Sequence, residues 1–351
     1  MADATLYSHL DVNGPGVTYG GSSFGVVQFY NLLVSCLVTG YGVGADAKPG
    51  QGWILIHANL PVGFKLQSPD GVYYTFYRGS VFVDRGFRPA VQVYISETLN
   101  NIADYPPTGQ NVRSGPFASS SASSSRHWLA CSQYQPANQN WSWTMVARGS
   151  QVYFAFTTYA GPDTAEGEAP QGGNYSGSYG GEIFLGNVLY KDQTIPKSGV
   201  QNHIVLGGYD YPEAHDFSSE MPYSYLNAYG RSRLRSPLTG AIELASMPGF
   251  AAHANVYTSY SGYKLGVDLT PPDFVIERRP FIESGFVGYL PGLFISTYYT
   301  HRRLYEVLRR LDRTASFGEA LRPIDFNGEP LYIVPTGYGI SIVSLQEKHW
   351  V

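Results

Sequence analysis

Short runs of β-forming residues, closed off at each end by turn chemistry, constrain this chain more than anything else in it. WILIH, VYYTFY, SVFVD and AVQVYIS follow one another between residues 53 and 96, with breaks at LPVG, SPDG and RGFRP. β-branched and aromatic residues suit a pleated, half-buried surface, and Gly, Pro, Asn and Asp supply the reversals between strands. An antiparallel meander is the expected result. Further along, WSWTMVAR and QVYFAFT flank Gly149-Ser150, which reads as a tight hairpin turn. EIFLGNVLY, HIVLGGYDY and the closing NGEPLYIVPTGYGISIV continue the strand rhythm, with Asn327-Gly328 as a turn. In VYYTFYRGSVF the polar and apolar positions alternate poorly, which points to strands covered on both faces or packed beside another chain.

Two segments break this pattern. From Ser23 to Val38, apolar residues at Val26, Phe29, Tyr30, Leu33 and Leu37 keep helical spacing, with Ser22 or Ser23 as the N-cap and Gly40 as the C-cap. The segment is apolar nearly all round, so it is expected to be buried against a sheet. A second, shorter helix is expected over 301–312, where HRRLYEVLRRLD sets Leu and Val on one face and arginines opposite. Ser114 to Ser125 reads as a flexible loop. The fold class is therefore mainly β (α+β): antiparallel sheets with one buried N-terminal helix and a second, irregular β-rich region. Two domains are expected, over 1–197 and 198–351.

Only 14% of the 351 residues are charged, well below the usual quarter. A chain so sparing of charge is expected to cover much of its surface with neighbouring subunits, since interfaces are depleted in charge. The net charge of −4 argues against a nucleic-acid partner, which calls for a concentrated basic face. No apolar run is long enough to span a membrane as a helix, and the first residues lack the pattern of a secretory signal. Cys36 and Cys131 are too few for a disulfide scaffold, and Cys36 in LLVSCLV reads as a small buried apolar residue.

One arrangement carries a likeness to a known family. GPGVTYGGSSFGVVQFYNLLVSCLVTGYG followed by Gly52-Trp53 resembles the start of a recurrent virion protein of tailed bacteriophages. In that family a Gly-rich turn leads to a short helix ending in Leu-Val-x-Gly-Tyr-Gly, then Gly-Trp. Gly14, Gly21, Leu32, Cys36, Leu37, Val38, Gly40, Tyr41, Gly42, Gly52 and Trp53 hold those places here. Looser matches follow in order: FRPAVQVYISETLNNIADYPPTG, the 141–159 hairpin, GEIFLGNV, LPGLF at 290–294, NGEPLYIVPTG and Trp350. The chain departs from the pattern at Ala147-Arg148-Gly149, which replaces an acidic turn, and at Asn187, where Asp is common. The resemblance implies a structural component of a tail, baseplate or collar, located in the virion and made in the bacterial host cytoplasm. Its partners would be copies of itself and other virion proteins.

The carboxylate pairs Glu166/Glu168, Asp210/Asp216 and Glu277/Glu283 are candidates for glycoside hydrolysis, but ordinary polar roles explain them better. His203, His215, Asp210 and Asp216 are the densest group of potential metal ligands, without the spacing of an established site. Gly21-Ser22-Ser23-Phe24-Gly25 matches a nucleophile elbow in form, and Gly40 to Ala45 a dinucleotide turn, yet both read better as the ends of the helix. No catalytic residue, metal site or cofactor is assigned, and the chain is read as non-enzymatic. Arg231, Arg233 and Arg235, with Arg302 and Arg309 of the expected second helix, are candidates for a subunit interface, as are Trp141 and Trp143. Gly40, Tyr41, Gly42, Gly52 and Trp53 are assigned a structural role. A host-surface glycan, stacked on the Tyr- and Trp-rich turns, is the alternative partner.

Overall fold

A computed structural model describes residues 3–16, 25–83, 86–115, 142–157, 180–190, 203–209, 231–235, 242–246, 277–278, 288–294, 323–326, 328–335 and 340–351. The described residues are mainly β, with antiparallel sheets and one helical segment, mostly buried. Strand β1 (Thr5–Ser8) precedes helix α1 (Val26–Leu33), which widens into π-helical geometry over Val34–Thr39. β2 (Ile54–Asn59), β3 (Gly63–Gln67), β4 (Tyr73–Val83), β5 (Gly86–Ser96) and β6 (Arg113–Gly115) then form a five-stranded meander in sequence order. The runs VYYTFY and SVFVD are one strand, because Arg78 to Ser80 continue the β4–β5 ladder without a break.

The second five-stranded sheet contains β7 (Ser142–Arg148), β8 (Gln151–Thr157), β9 (Gly180–Asn187) and β11 (His203–Tyr209), with β1 on the far side of β7. Gly149-Ser150 makes the expected two-residue turn between β7 and β8. The expected boundary at 197/198 falls between β9 and β11, which are neighbours in this sheet. Smaller sheets join β10 (Leu189–Tyr190) to β15 (Gly288–Tyr289), and β12 (Arg231–Arg235) through β13 (Ile242–Ser246) to β14 (Glu277–Arg278). β16 (Leu293–Phe294), β17 (Pro323–Phe326), β18 (Glu329–Pro335) and β19 (Ile340–Ser344) form a four-stranded sheet in the order β16-β19-β18-β17.

Period-two alternation explains how these parts stack. In the second sheet, Met145, Phe154, Ile183 and Val205 join one core, while their neighbours Val146, Tyr153, Phe184 and Ile204 join another. The sheet is thus buried on both faces, which is why its strands read as continuous apolar runs. The first core holds α1 and the inner face of the meander: Phe29 meets Phe76 of β4 at 5.3 Å and Phe154 of β8 at 5.6 Å between ring centroids. The second core holds Leu290, Leu293, Val343 and Trp350 from the C-terminal strands. A backbone bond from the Ala4 N–H to the Leu345 carbonyl and an Arg148–Glu347 ion pair of 2.9 Å tie the chain's two ends and the β7–β8 turn together.

The helix differs in detail from its expectation. Val26, Phe29, Leu32, Leu33, Cys36 and Leu37 are buried, but Val27 and Asn31 are exposed, so one edge stays open instead of being covered all round. Its N-cap position is held by Gly25, whose N–H donates to Gln28 Oε1 at 3.0 Å. The expected caps Ser22 and Ser23 lie outside the described residues. Gly40 ends the helix as expected, at φ 72°, a left-handed conformation that glycine adopts without strain. Among the described residues, no helix is long and apolar enough to cross a membrane.

Candidate functional site

The segment from Gly40 to Trp53 grips its surroundings through side chains. Tyr41 pairs with Lys48 in a short antiparallel bridge, and the residues between them form a turn. At the base of that turn the Tyr41 hydroxyl donates to Asp11 Oδ2 at 2.6 Å, while Lys48 Nζ donates to the Leu6 carbonyl at 3.0 Å and lies 3.7 Å from Asp11. Burial raises the Tyr41 pKa, and its bond to Asp11 raises it further, so the phenol keeps the proton it donates. Gln51 reaches the Tyr7 hydroxyl at 2.6 Å with its amide and accepts the Gly149 N–H at 3.1 Å with its carbonyl. The Trp53 indole N–H donates to the Gly149 carbonyl at 2.8 Å. Lys48 and Gln51 thus tie this segment to β1, Tyr41 ties it to Asp11, and Gln51 and Trp53 tie it to the β7–β8 turn. Cys36, behind this clamp, is fully buried, and burial pushes its thiol well up.

A second group lies at the seam between the two five-stranded sheets. His203, 0% exposed on β11, lies with Nε2 2.7 Å from Asp70 Oδ2 and Nδ1 2.5 Å from the Tyr74 hydroxyl. Asp70 sits in the turn between β3 and β4, and Tyr74 on β4. The other Asp70 oxygen accepts hydroxyls from Ser68 at 2.7 Å and Ser150 at 2.5 Å. Burial raises the Asp70 pKa, but the hydrogen bond and charge interaction with His203, followed by the two serine hydroxyls, outweigh it and hold the carboxyl well below its usual range. Burial holds His203 towards its neutral form, with Asp70 opposing and Arg113 assisting. One proton arrangement satisfies every member: Nε2–H donates to Asp70, and Tyr74 O–H donates to Nδ1. Ser150 bonds the carboxylate and not the imidazole, so the imidazole is not placed to take its proton. The group is built as a clasp between sheets.

The outer face of the meander carries a third feature. Residues 97–112 fold back over it, and Lys65, fully buried on β3, donates from Nζ to the Asp104 carbonyl at 2.7 Å and the Asn101 carbonyl at 3.4 Å. The ammonium also lies 4.8 Å from the centre of the Tyr105 ring, a cation–π contact. Burial lowers the Lys65 pKa, with Asp104 opposing. The Tyr105 ring lies against the Cα of Gly63, where any side chain would collide with it. Tyr77 and His57 flank it at 6.1 Å each, with interplanar angles of 23° and 31°. The three half-buried rings form a shelf of near-parallel planes.

Of the residues expected at an interface, Trp143 is placed differently. Trp143 is 1% exposed in the first core, with its indole N–H on the Pro15 carbonyl at 3.2 Å, so it anchors the fold and presents no ring to a neighbouring subunit. Arg231, Arg233 and Arg235 fall at alternate positions of β12. Trp141, Arg302, Arg309 and the expected 301–312 helix lie outside the described residues, as do Cys131, Glu166, Glu168, Asp210, His215, Asp216 and Glu283. Of His203, His215, Asp210 and Asp216, the densest group of potential metal ligands, only His203 is described, and it is engaged in the clasp. Among the described residues no group of three or more His, Cys, Asp or Glu could hold a metal ion. Sequence reasoning missed Asp70, Tyr74 and Lys65, whose single signal is a charge or hydroxyl inside a strand-and-turn pattern. Comparison with protein families, characterised proteins and solved structures finds no match to this chain.

Proposed function

We propose that this chain is a non-enzymatic structural component of a tailed-phage virion, a tail, baseplate or collar protein that packs in several copies. The observation that carries the reading is the tip of the segment on which the family resemblance rests. Its base is clamped by Tyr41, Lys48, Gln51 and Trp53, while Val43 at the tip is 76% exposed. Leu10 and Val12, at 55% and 58%, stand on either side of Asp11, the residue that Tyr41 holds. Aliphatic side chains held out on a braced turn lose little freedom when a neighbour covers them, which favours assembly over solvation. Low overall charge fits the same use.

The tip supplies the test. Val43→Asp removes no buried contact, so the change in folding stability is expected to stay within about 0.5 kcal/mol. Incorporation into particles, measured by quantitative mass spectrometry of washed virions, is expected to fall several-fold. Wild-type levels of the folded variant in virions would count against the tip as a contact, and absence of the wild-type chain from virions would overturn the reading.

A second reading, binding of a host-surface glycan, draws on the ring shelf of Tyr77, Tyr105 and His57, since near-parallel aromatic planes suit the faces of sugar rings. Glycan-array binding by the purified protein that Tyr105→Ala abolishes would favour it. An array with no signal above background would remove it.

A further inference from the structure

We infer that Asp70, His203 and Tyr74 form an acid-released clasp: a proton taken up at His203 Nδ1 leaves the Tyr74 O–H without its acceptor, sets a cation in the fully buried seam, and loosens the contact between the two five-stranded sheets. The inference rests on geometry independent of any role in a virion. His203 belongs to β11, whereas Asp70 and Tyr74 belong to the meander, so the imidazole is a direct polar bridge between the sheets. Both ring nitrogens are occupied, and Nδ1 can accept the Tyr74 hydroxyl only while it carries no proton.

The surroundings decide the direction. Asp70 faces His203 from the β3–β4 turn, Tyr74 from β4 and Arg113 from β6, while the residue opposite it on β9 is the uncharged Asn187. A protonated imidazole would gain from Asp70, but it would be fully buried near the Arg113 cation and would lose its acceptor role. Burial therefore keeps the folded-state pKa below the ordinary 6.5. The unfolded or opened chain takes up a proton near pH 6.5 that the closed clasp refuses, so stability falls as pH drops from there towards the folded-state pKa. Asp70, held below its ordinary 3.8, adds its own loss only at lower pH. The two windows are separate.

The experiment compares folding equilibria of the wild type, His203→Gln and His9→Gln between pH 7.5 and 5.0, by denaturant unfolding. His9 is the necessary control, because burial lowers its pKa too, against its bond to the Trp143 backbone. Wild type is expected to lose up to about 30-fold in its folding constant between pH 7.5 and 5.0 through His203 alone. His203→Gln is expected to shed that dependence, while His9→Gln retains it. An unchanged slope in folded His203→Gln overturns the inference. Should that variant fail to fold, histidine NMR of the wild type decides: a ring that stays neutral below pH 6 supports the clasp, and ordinary titration near 6.5 overturns it.

Discussion

Trp53→Ala is expected to destabilise the protein by about 3–5 kcal/mol, the range for removing a large buried aromatic side chain. The side chain is 2% exposed, its ring lies 5.0 Å from that of Tyr74, and its indole N–H satisfies the Gly149 carbonyl. Three parts of the fold meet there: the end of the helical segment, the start of the meander and the β7–β8 turn. Trp53→Phe keeps most of the apolar contact and loses the hydrogen bond, so its cost should be nearer about 1–2 kcal/mol. Urea unfolding of the two variants measures both. A loss below 1 kcal/mol for the alanine variant would mean that the Gly40–Trp53 segment is not the brace described above.

Gly292→Ala is expected to be nearly as damaging although it adds a single methyl group. Gly292 has φ 67°, which costs an L-residue about 1–2 kcal/mol, and the added Cβ would run into the Trp350 indole. Trp350 cannot simply swing aside, because it is 1% exposed and its indole N–H donates to the Ser344 carbonyl at 2.8 Å. Strain and overpacking together are expected to reach about 3 kcal/mol. Trp350→Ala should also destabilise by about 3–5 kcal/mol, through loss of buried area. Since removing the indole removes the collision, the double variant should be less destabilised than the sum of the two. Additive losses would show that the two residues do not touch.

How much of this could be read from the residues depends on how far apart in the chain the interacting groups lie. Local period and turn chemistry were enough for the meander, for the Gly149-Ser150 hairpin, and for a helix ending at Gly40. They were not enough for β1, whose four residues carry no strand signal and whose partner is β7, more than 130 residues away. The clasp is the same case: His203 and Asp70 are separated by 133 positions, and nothing local marks either as one of a pair. His203, with ligand-type residues close to it in sequence, reads as part of a polar turn, whereas its contacts come from the opposite sheet. Trp143 alternates with Trp141 along the sequence, but alternation gives the two faces of a strand without saying which is covered. The two cores resolve it for Trp143, since both faces of that sheet are buried. Lys65 was equally hidden, for a lysine inside a strand reads as solvent-facing until residues 97–112 are seen to cover it.

Assembly is the central claim, and one measurement addresses it most directly. A cryo-EM reconstruction of intact phage particles carrying this chain should show it in repeated copies around the tail, baseplate or collar, with the Val43 tip and the Leu10–Val12 turn against a neighbouring subunit. A reconstruction that accounts for every structural density without this chain, together with its absence from washed particles, would contradict the account.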